Sequence, residues 1–269
     1  MSASTIPFAA EVLIAREAAA EAGALLRSRA GADRVRSKAR ADLVTEVDEA
    51  SERAIGERIR TAFPGDVIVA EEFSASAAHG GRTWIIDPLD GTVNYVHSHP
   101  FACVSIAFWD AQGPAVGVVY APFLGELYHA VRGRGAFLND EPIRVSDVAD
   151  GEESLLGTGF PFKAGKGDPE IYFQLVSEMV QSTHGVRRAG AAALDLAYVA
   201  AGRLDGFFEI GLNPWDLAAG VLLVAEAGGR VSGWPGDAEP PVRTGRLIAT
   251  NGAIHDWTET RIAKYVPAL

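Results

Sequence analysis

Small and apolar residues recur at Val12, Ala15, Ala19, Ala22 and Leu26, a spacing of three and four that predicts an amphipathic helix ending near Gly31. A second helix is predicted from about Thr45 to Ala62, with Ala50, Ala54, Ile59 and Ala62 on one face and Pro64-Gly65 as its stop. The apolar run 67–70 ends on Glu71 and reads as a strand, followed by a polar connection of small residues over 74–81. From 84 to 138 the pattern turns to strands, at 84–86, 102–108, 115–120, 126–131 and 136–138. Turn residues fall at Gln112-Gly113, over 122–125, and at Gly133 and Gly135, which predicts an antiparallel meander. Beyond about Asp150 helix and strand alternate: a helix over 171–181, a strand near Val186, a helix over 191–201, a strand over 206–210, a helix over 214–227, a strand over 247–250 and a final helix. The chain therefore reads as α+β in its first half and α/β in its second. Two subdomains, 1–150 and 151–269, are expected to share a cleft, with no repeat or Pro- and Ser-rich linker between them.

With 269 residues, 48% hydrophobic and 22% charged, the chain is long enough for a substantial core, which excludes the disordered and fibrous classes. Its N-terminus has no basic segment followed by an apolar one, and no stretch approaches ~18 consecutive apolar residues, so a cytoplasmic protein outside the membrane is expected. The single cysteine, Cys103, lies in an apolar alternating run and reads as a buried strand thiol in a reducing compartment. A formal charge of -11 argues against a direct nucleic-acid surface, which needs a basic footprint. An anionic ligand would then need neutralisation from elsewhere, and carboxylates loaded with divalent cations supply it.

The most informative segment is 84–94, an apolar strand that runs directly into Asp87-Pro88-Leu89-Asp90-Gly91-Thr92. Such a strand delivers two hard oxygen ligands to one fixed place. Pro88 stiffens the turn, Gly91 permits close backbone approach, and Thr92 opens the next helix, whose first amides face an anion. Taken alone, Asp-x-x-Asp-Gly is as readily an ordinary turn with Asp90 as a helix cap. Glu71 and Glu72 also end a strand, where adjacent carboxylates repel unless they diverge or a cation separates them. Asp216 sits in the first turn of an apolar helix and could simply favour the helix dipole. Asp42 reads as a turn residue and Asp48 as a solvated or structural one within the second helix. No His and Cys cluster exists for zinc, and His97-Ser98-His99 reads as surface.

Together these segments resemble the inositol monophosphatase family. The resemblance is carried by Asp42-Leu43-Val44-Thr45 with Asp48, Glu71-Glu72, residues 84–94, Arg187-Arg188-Ala189-Gly190, residues 194–209, and Trp215-Asp216 followed by Ala218-Ala219-Gly220, and it spans nearly the whole chain. It implies a layered αβαβα sandwich shared with the fructose-1,6-bisphosphatases. It also implies two or three Mg²⁺: Glu71, Asp87 and the Leu89 carbonyl for the first, Asp87, Asp90 and Asp216 for the second, and Glu71 for a weaker third. The implied reaction is in-line attack on phosphorus by a metal-activated water, with Glu71, Thr92 and Asp42 carrying the catalysis and Asp42 orienting the Thr92 hydroxyl. The implied substrate is a small phosphorylated alcohol such as inositol 1-phosphate, met by Asp90, Gly91, Thr92, Gly190, Ala191, Ala192, Glu209 and Asp216. Relatives often carry Ser or Thr where this chain has Ala191, so only backbone contacts are expected there. A homodimer joined through the apolar meander and inhibition by Li⁺ are further implications. Alternative substrates within the superfamily are fructose 1,6-bisphosphate, adenosine 3',5'-bisphosphate, histidinol phosphate and NADP. A different class of role is a regulatory binding protein, since some bacterial members are associated with the transcription machinery.

Overall fold

The computed structural model describes residues 7–30, 35–39, 42–72, 81–161 and 167–268, with 35–39, 42–44 and 268 described by backbone alone. Helix α1 (Ala9–Arg29) buries a narrow stripe of Ala15, Ala18, Ala19, Ala22 and Leu26, and small side chains let it lie close to the sheet beneath. A hairpin of β1 (Val35–Ala39) and β2 (Asp42–Thr45), not anticipated from the sequence, leads into α2 (Glu46–Ala62). That helix starts at a reciprocal cap: the Thr45 amide donates to Asp48 Oδ2 at 2.8 Å, and the Asp48 amide donates to Thr45 Oγ1 at 3.4 Å. The buried face of α2 is Val47, Ser51, Ile55 and Ile59, whereas Ala62 is exposed and Ala50 and Ala54 sit at the boundary. The expected face was offset because Ala fits either side of a helix, while Ile and Val gain ~1.5–3 kcal/mol only by going inside.

A seven-stranded sheet follows: β3 (Val67–Ala70), β4 (Thr83–Asp90), β5 (Cys103–Asp110), β6 (Gly113–Ala121), β7 (Glu126–Val131), β8 (Ala136–Leu138) and β9 (Glu141–Ile143), in that spatial order. Strands β3 and β4 are parallel and the rest pair antiparallel, so the meander stands with one further strand. Alternation sends Trp84, Ile86, Val104, Ile106 and Phe108 under α1 and α2, and Ile85, Cys103 and Ala107 to the opposite face. Both faces are thus largely covered by the chain's own helices, while Leu127 and Phe137 of the meander remain half-buried.

Between β4 and β5 lies α3 (Thr92–Val96). The second sheet holds β10 (Leu155–Thr158), β11 (Gly185–Arg187), β12 (Gly206–Ile210), β13 (Arg230–Ser232) and β14 (Arg246–Thr250), ordered β11-β10-β12-β14-β13. Its outer face packs on α4 (Pro169–Gln181) and α9 (His255–Ala263) through Tyr172, Leu175, Met179 and Ile262. Helices α5 (Ala192–Ala200), α6 (Pro214–Leu217) and α7 (Gly220–Glu226) fill the layer between the sheets, while the short α8 (Pro241–Thr244) precedes β14. The result is helix, sheet, helix, sheet, helix, the expected αβαβα sandwich. Residues 214–227 form two helices rather than one. Ser105 Oγ donates to the Trp215 carbonyl at 3.3 Å and Trp109 Nε1 to the Ala218 carbonyl at 3.3 Å. Donors from the large sheet thereby compete for acceptors of the helical ladder at the break.

Candidate active site

Residues three apart in a regular strand face opposite sides, yet Asp87 and Asp90 line the same cavity. The pairing with β5 explains this. Asp87 lies opposite Ser105 and Asp90 opposite Cys103, so three residues on β4 span two on its partner, and the bulge turns both carboxyls to one end of the sheet. Ser51 Oγ of α2 holds the bulge by donating to the Pro88 carbonyl at 3.0 Å. The adjacent strand β3 ends at Ala70 and places Glu71 on the same cavity, while the Glu72 amide donates to Glu52 Oε2 at 2.7 Å.

The other wall comes from the second half of the chain. Gly190, Ala191 and Ala192 run into α5, Glu209 stands near the end of β12, and Asp216 in α6 completes a cavity of ≈ 420 Å³. Leu89, Gly91 and Thr92 line it as well, so every site residue expected from the sequence except Asp42 is brought to one cavity. The side chain of Asp42 lies outside the described residues. Asn94 ties the two walls together, its Nδ2 donating to the Phe101 carbonyl at 2.7 Å and to the Ala189 carbonyl at 2.8 Å. His97 and His99 are exposed, as expected, and the Cys103 thiol is buried, 3.9 Å from Asp90 Oδ2.

Each of the three aspartates is aimed by a backbone amide. Asp87 Oδ1 accepts from the Leu89 amide at 3.0 Å, Asp90 Oδ2 from the Ala193 amide at 2.7 Å, and Asp216 Oδ2 from the Asn213 amide at 2.6 Å. The Thr92 hydroxyl reaches the Leu89 carbonyl at 3.1 Å and Asp48 Oδ1 at 3.4 Å. Asp48 is 1% exposed, so it is a structural residue, not a solvated one.

Burial, reinforced by Glu71, Asp90 and Asp216, holds the Asp87 carboxyl well above the usual carboxylate range. Burial and the nearby Asp216 push Asp90 up to about 8, and burial with Asp195 and Asp216 raises Glu209. Among the described residues no three His, Cys, Asp or Glu side chains are drawn together at metal-coordinating separations. The donor set nevertheless fits hard divalent cations: four carboxyl groups on one cavity oppose each other's ionisation, and a bound cation removes that opposition. Mg²⁺ matches this all-oxygen chemistry, whereas Zn²⁺ favours nitrogen and sulfur donors.

Sequence reasoning missed Asp195, which lines the cavity from α5 at 2% exposure, and Gly159, which stands against the Glu209 carboxylate. An acidic residue inside the run Ala192-Ala193-Leu194-Asp195-Leu196-Ala197 was the available signal for the first.

Comparison with known proteins agrees with this geometry. The chain is 47% identical over 254 residues to an inositol-1-monophosphatase of Synechocystis, covering 93% of this chain and 88% of that one. It is 44% identical over 261 residues to the Nus factor SuhB of Pseudomonas aeruginosa, covering 94% and 96%. The crystal structure of the extragenic suppressor protein suhB from Bartonella henselae superposes with a TM-score of 0.89 at 38% identity, covering 95% of this chain and 99% of that one. The sequence profile of the inositol monophosphatase family matches residues 9–268, and the chain belongs to that family.

Proposed function

We propose that this protein is a Mg²⁺-dependent phosphomonoesterase acting on inositol 1-phosphate or a similar small alcohol phosphate. The observation that carries the reading is the gathering of Glu71, Asp87, Asp90 and Asp216, with the Thr92 hydroxyl, on one cavity wide enough for a phosphorylated ring. Glu71, Asp87, Asp90, Asp216 and the Leu89 carbonyl are the proposed holders of two or three Mg²⁺, which when bound neutralise phosphate charge and lower the pKa of water.

The chain's own residues then have distinct tasks. The Thr92 hydroxyl donates to Leu89 or Asp48, which leaves its oxygen to accept a hydrogen bond from an attacking water. Glu71 takes the proton from that water. As the water oxygen bonds to phosphorus in line, the bond to the alkoxyl oxygen breaks, and the leaving oxygen takes up a proton from solvent to depart as the alcohol while Glu71 releases to solvent the one it accepted. Asp42 remains a proposed orienting residue for Thr92. Asp90, Asp216, Glu209 and the backbone of Gly190, Ala191 and Ala192 receive the alcohol part, in keeping with their positions on the cavity wall. Inhibition by Li⁺ and a homodimer belong to the same proposal; a light-scattering mass equal to one chain rejects the dimer.

A second reading is favoured by the relatives named Nus factor SuhB: a binding role in transcription. Among the described residues no helix is long and apolar enough to cross a membrane, so both readings concern partners away from the bilayer core. The first test is phosphate release from inositol 1-phosphate, fructose 1,6-bisphosphate, adenosine 3',5'-bisphosphate, histidinol phosphate and NADP, with and without Mg²⁺. Mg²⁺-dependent turnover that Asp90→Asn abolishes supports the enzymatic reading. Release from none of them overturns it and brings the binding role forward.

A further inference from the structure

Asn94, half-buried in α3, does not line the cavity, yet it holds two of the segments that shape it. Its Nδ2 donates to the Phe101 carbonyl at 2.7 Å and to the Ala189 carbonyl at 2.8 Å, which commits both protons of the amide. The Phe101 carbonyl oxygen also stands 3.0 Å from the place a Cβ on Gly91 would take, and Ala191 Cβ stands 3.2 Å from that place. Gly91 and Ala191 are therefore packed side by side, and the carbonyl that Asn94 holds lies against the first of them. A Cβ on Gly190, whose φ is +93°, would meet Asn94 Nδ2 at 3.2 Å, so a glycine lets the loop settle on this amide. At its other end the loop is held by the Ala193 amide, which donates to Asp90 Oδ2 at 2.7 Å. Residues 189–193 are thus pinned to the segment of β4 and α3 at two points, Asp90 at the α5 end and Asn94 at the Gly190 end.

A planar amide with two protons aimed at two carbonyls fixes the separation of those carbonyls, and no other side chain of that length offers two such donors. We propose that Asn94 is a positioning residue: it sets the backbone of Gly190 and Ala191 at the place from which that backbone meets the alcohol part of the substrate. Loss of its side chain frees the loop at Ala189 and Gly190 but leaves the bond from Ala193 to Asp90 intact. Selection of the alcohol therefore depends on Asn94, whereas cation binding and the attack on phosphorus do not. Misplacement of a contact by about 1 Å is enough to cost up to about 10²-fold. The inference rests on the phosphatase reading above and adds to it the group that holds the alcohol-receiving loop in place.

The experiment compares wild type, Asn94→Ala, Gly190→Ala and the double variant in Mg²⁺, using inositol 1-phosphate and p-nitrophenyl phosphate, whose alcohol has no further hydroxyl. In Asn94→Ala the KM for inositol 1-phosphate should rise about tenfold or more, with kcat/KM on p-nitrophenyl phosphate and the Mg²⁺ concentration for half-maximal activity held within about twofold. If Asn94→Ala does not fold, Asn94→Ser, whose hydroxyl keeps one donor, carries the test with a smaller rise in KM. Gly190→Ala strains a positive φ and displaces the same loop, so the KM effects of the two substitutions should combine to less than their product. A purely structural Asn94 would lower the melting temperature and reduce kcat/KM on both esters alike. Equal losses on the two esters, a weakened Mg²⁺ dependence, fully multiplicative effects in the double variant, or a change in melting temperature alone overturn the proposal. Wild type that hydrolyses p-nitrophenyl phosphate but not inositol 1-phosphate also overturns it while leaving the phosphatase reading intact. Wild type that hydrolyses neither overturns that reading, and the proposal falls with it.

Discussion

The Thr92 hydroxyl stands 3.4 Å from Asp48 Oδ1, so the residue that caps α2 also faces the hydroxyl at the mouth of the site. The other oxygen of the same carboxyl, Oδ2, accepts from the Thr45 amide at 2.8 Å and from the Thr45 hydroxyl. Asp48→Asn separates the two tasks. Its amide oxygen can keep the cap, while the NH₂ group facing Thr92 can no longer accept that hydroxyl's proton. The expected outcome is a melting temperature near wild type with a lower kcat. Asp48→Ala also loses the cap and costs about 1–2 kcal/mol. Thr92→Val should cut kcat about 10²-fold at unchanged stability, the usual scale for losing one positioned catalytic hydrogen bond. Steady-state kinetics beside thermal melts decide it; an unaltered kcat in Asp48→Asn removes that residue from catalysis.

Gly159 offers a separate route to the Glu209 carboxylate. A Cβ at position 159 would overlap the carboxylate itself, so Gly159→Ala must displace it or shift the strand end. The expected effect is a KM for inositol 1-phosphate raised about tenfold or more, with a stability loss of about 1–3 kcal/mol typical of overpacking. Unchanged KM with full stability would place Glu209 outside the substrate contacts.

Much of this arrangement was legible because its parts are contiguous. Residues 84–94 compress a buried strand, a bulge, two carboxyl groups and a helix start into one segment, and such local chemistry survives any packing. The order of helices and strands followed from long periodic runs such as those of α1 and the meander, whereas the layered sandwich was implied by the resemblance to the family. Features set by distant partners were not legible. The break between α6 and α7 depends on donors from Ser105 and Trp109, more than a hundred residues earlier. The buried face of α2 turns on which of several small residues the sheet leaves outside. Strand β10 escaped notice because Leu155-Leu156-Gly157-Thr158 is too short for a period to show. Asp195 escaped because an acid in an apolar helix acquires meaning only once β10 and β12 close over it.

Removal of divalent metal should invert the effect of neutralising a site carboxyl. Without a cation, Asp87 is held well above the usual carboxylate range by burial and by Glu71, Asp90 and Asp216, so its ionisation at neutral pH opposes folding. Asp87→Asn should therefore match or exceed wild-type stability in EDTA. In saturating Mg²⁺ the order should reverse, because wild type gains ligand-linked stability, about 2.7 kcal/mol at a concentration a hundred times Kd, and the variant gains less. Thermal melts in EDTA and in Mg²⁺ for both proteins provide the four values. A wild-type melting temperature indifferent to Mg²⁺ contradicts the metal assignment independently of any assay of turnover.

The last prediction concerns acid stability and lies far from the site. His255 is fully buried, with one ring nitrogen 2.9 Å from Ser232 Oγ and the other 3.0 Å from Thr250 Oγ1. Burial, aided by Arg230, pushes its pKa down from 6.5 to about 4. The unfolded imidazole thus binds its proton at higher pH than the folded one, so the stability it contributes is complete above about pH 6.5 and is lost as pH falls toward 4. The size is on the order of 3 kcal/mol for a shift of this extent. His129, lowered to about 4 by burial, acts in the same direction. Asp48 opposes them: burial raises it to about 6, so its contribution is present below pH 3.8 and is lost as pH rises through 6. Total stability between pH 4 and 6 mixes these signs, and only a difference isolates the histidine. Urea unfolding of wild type and His255→Gln at pH 7.5, 6.0 and 4.5 should show the wild-type advantage shrinking with each step down. Parallel curves would mean that His255 binds its proton equally well in the folded and unfolded chain, and an advantage that grows with acid would mean that it is charged in the folded protein, with Ser232 and Thr250 both acting as acceptors.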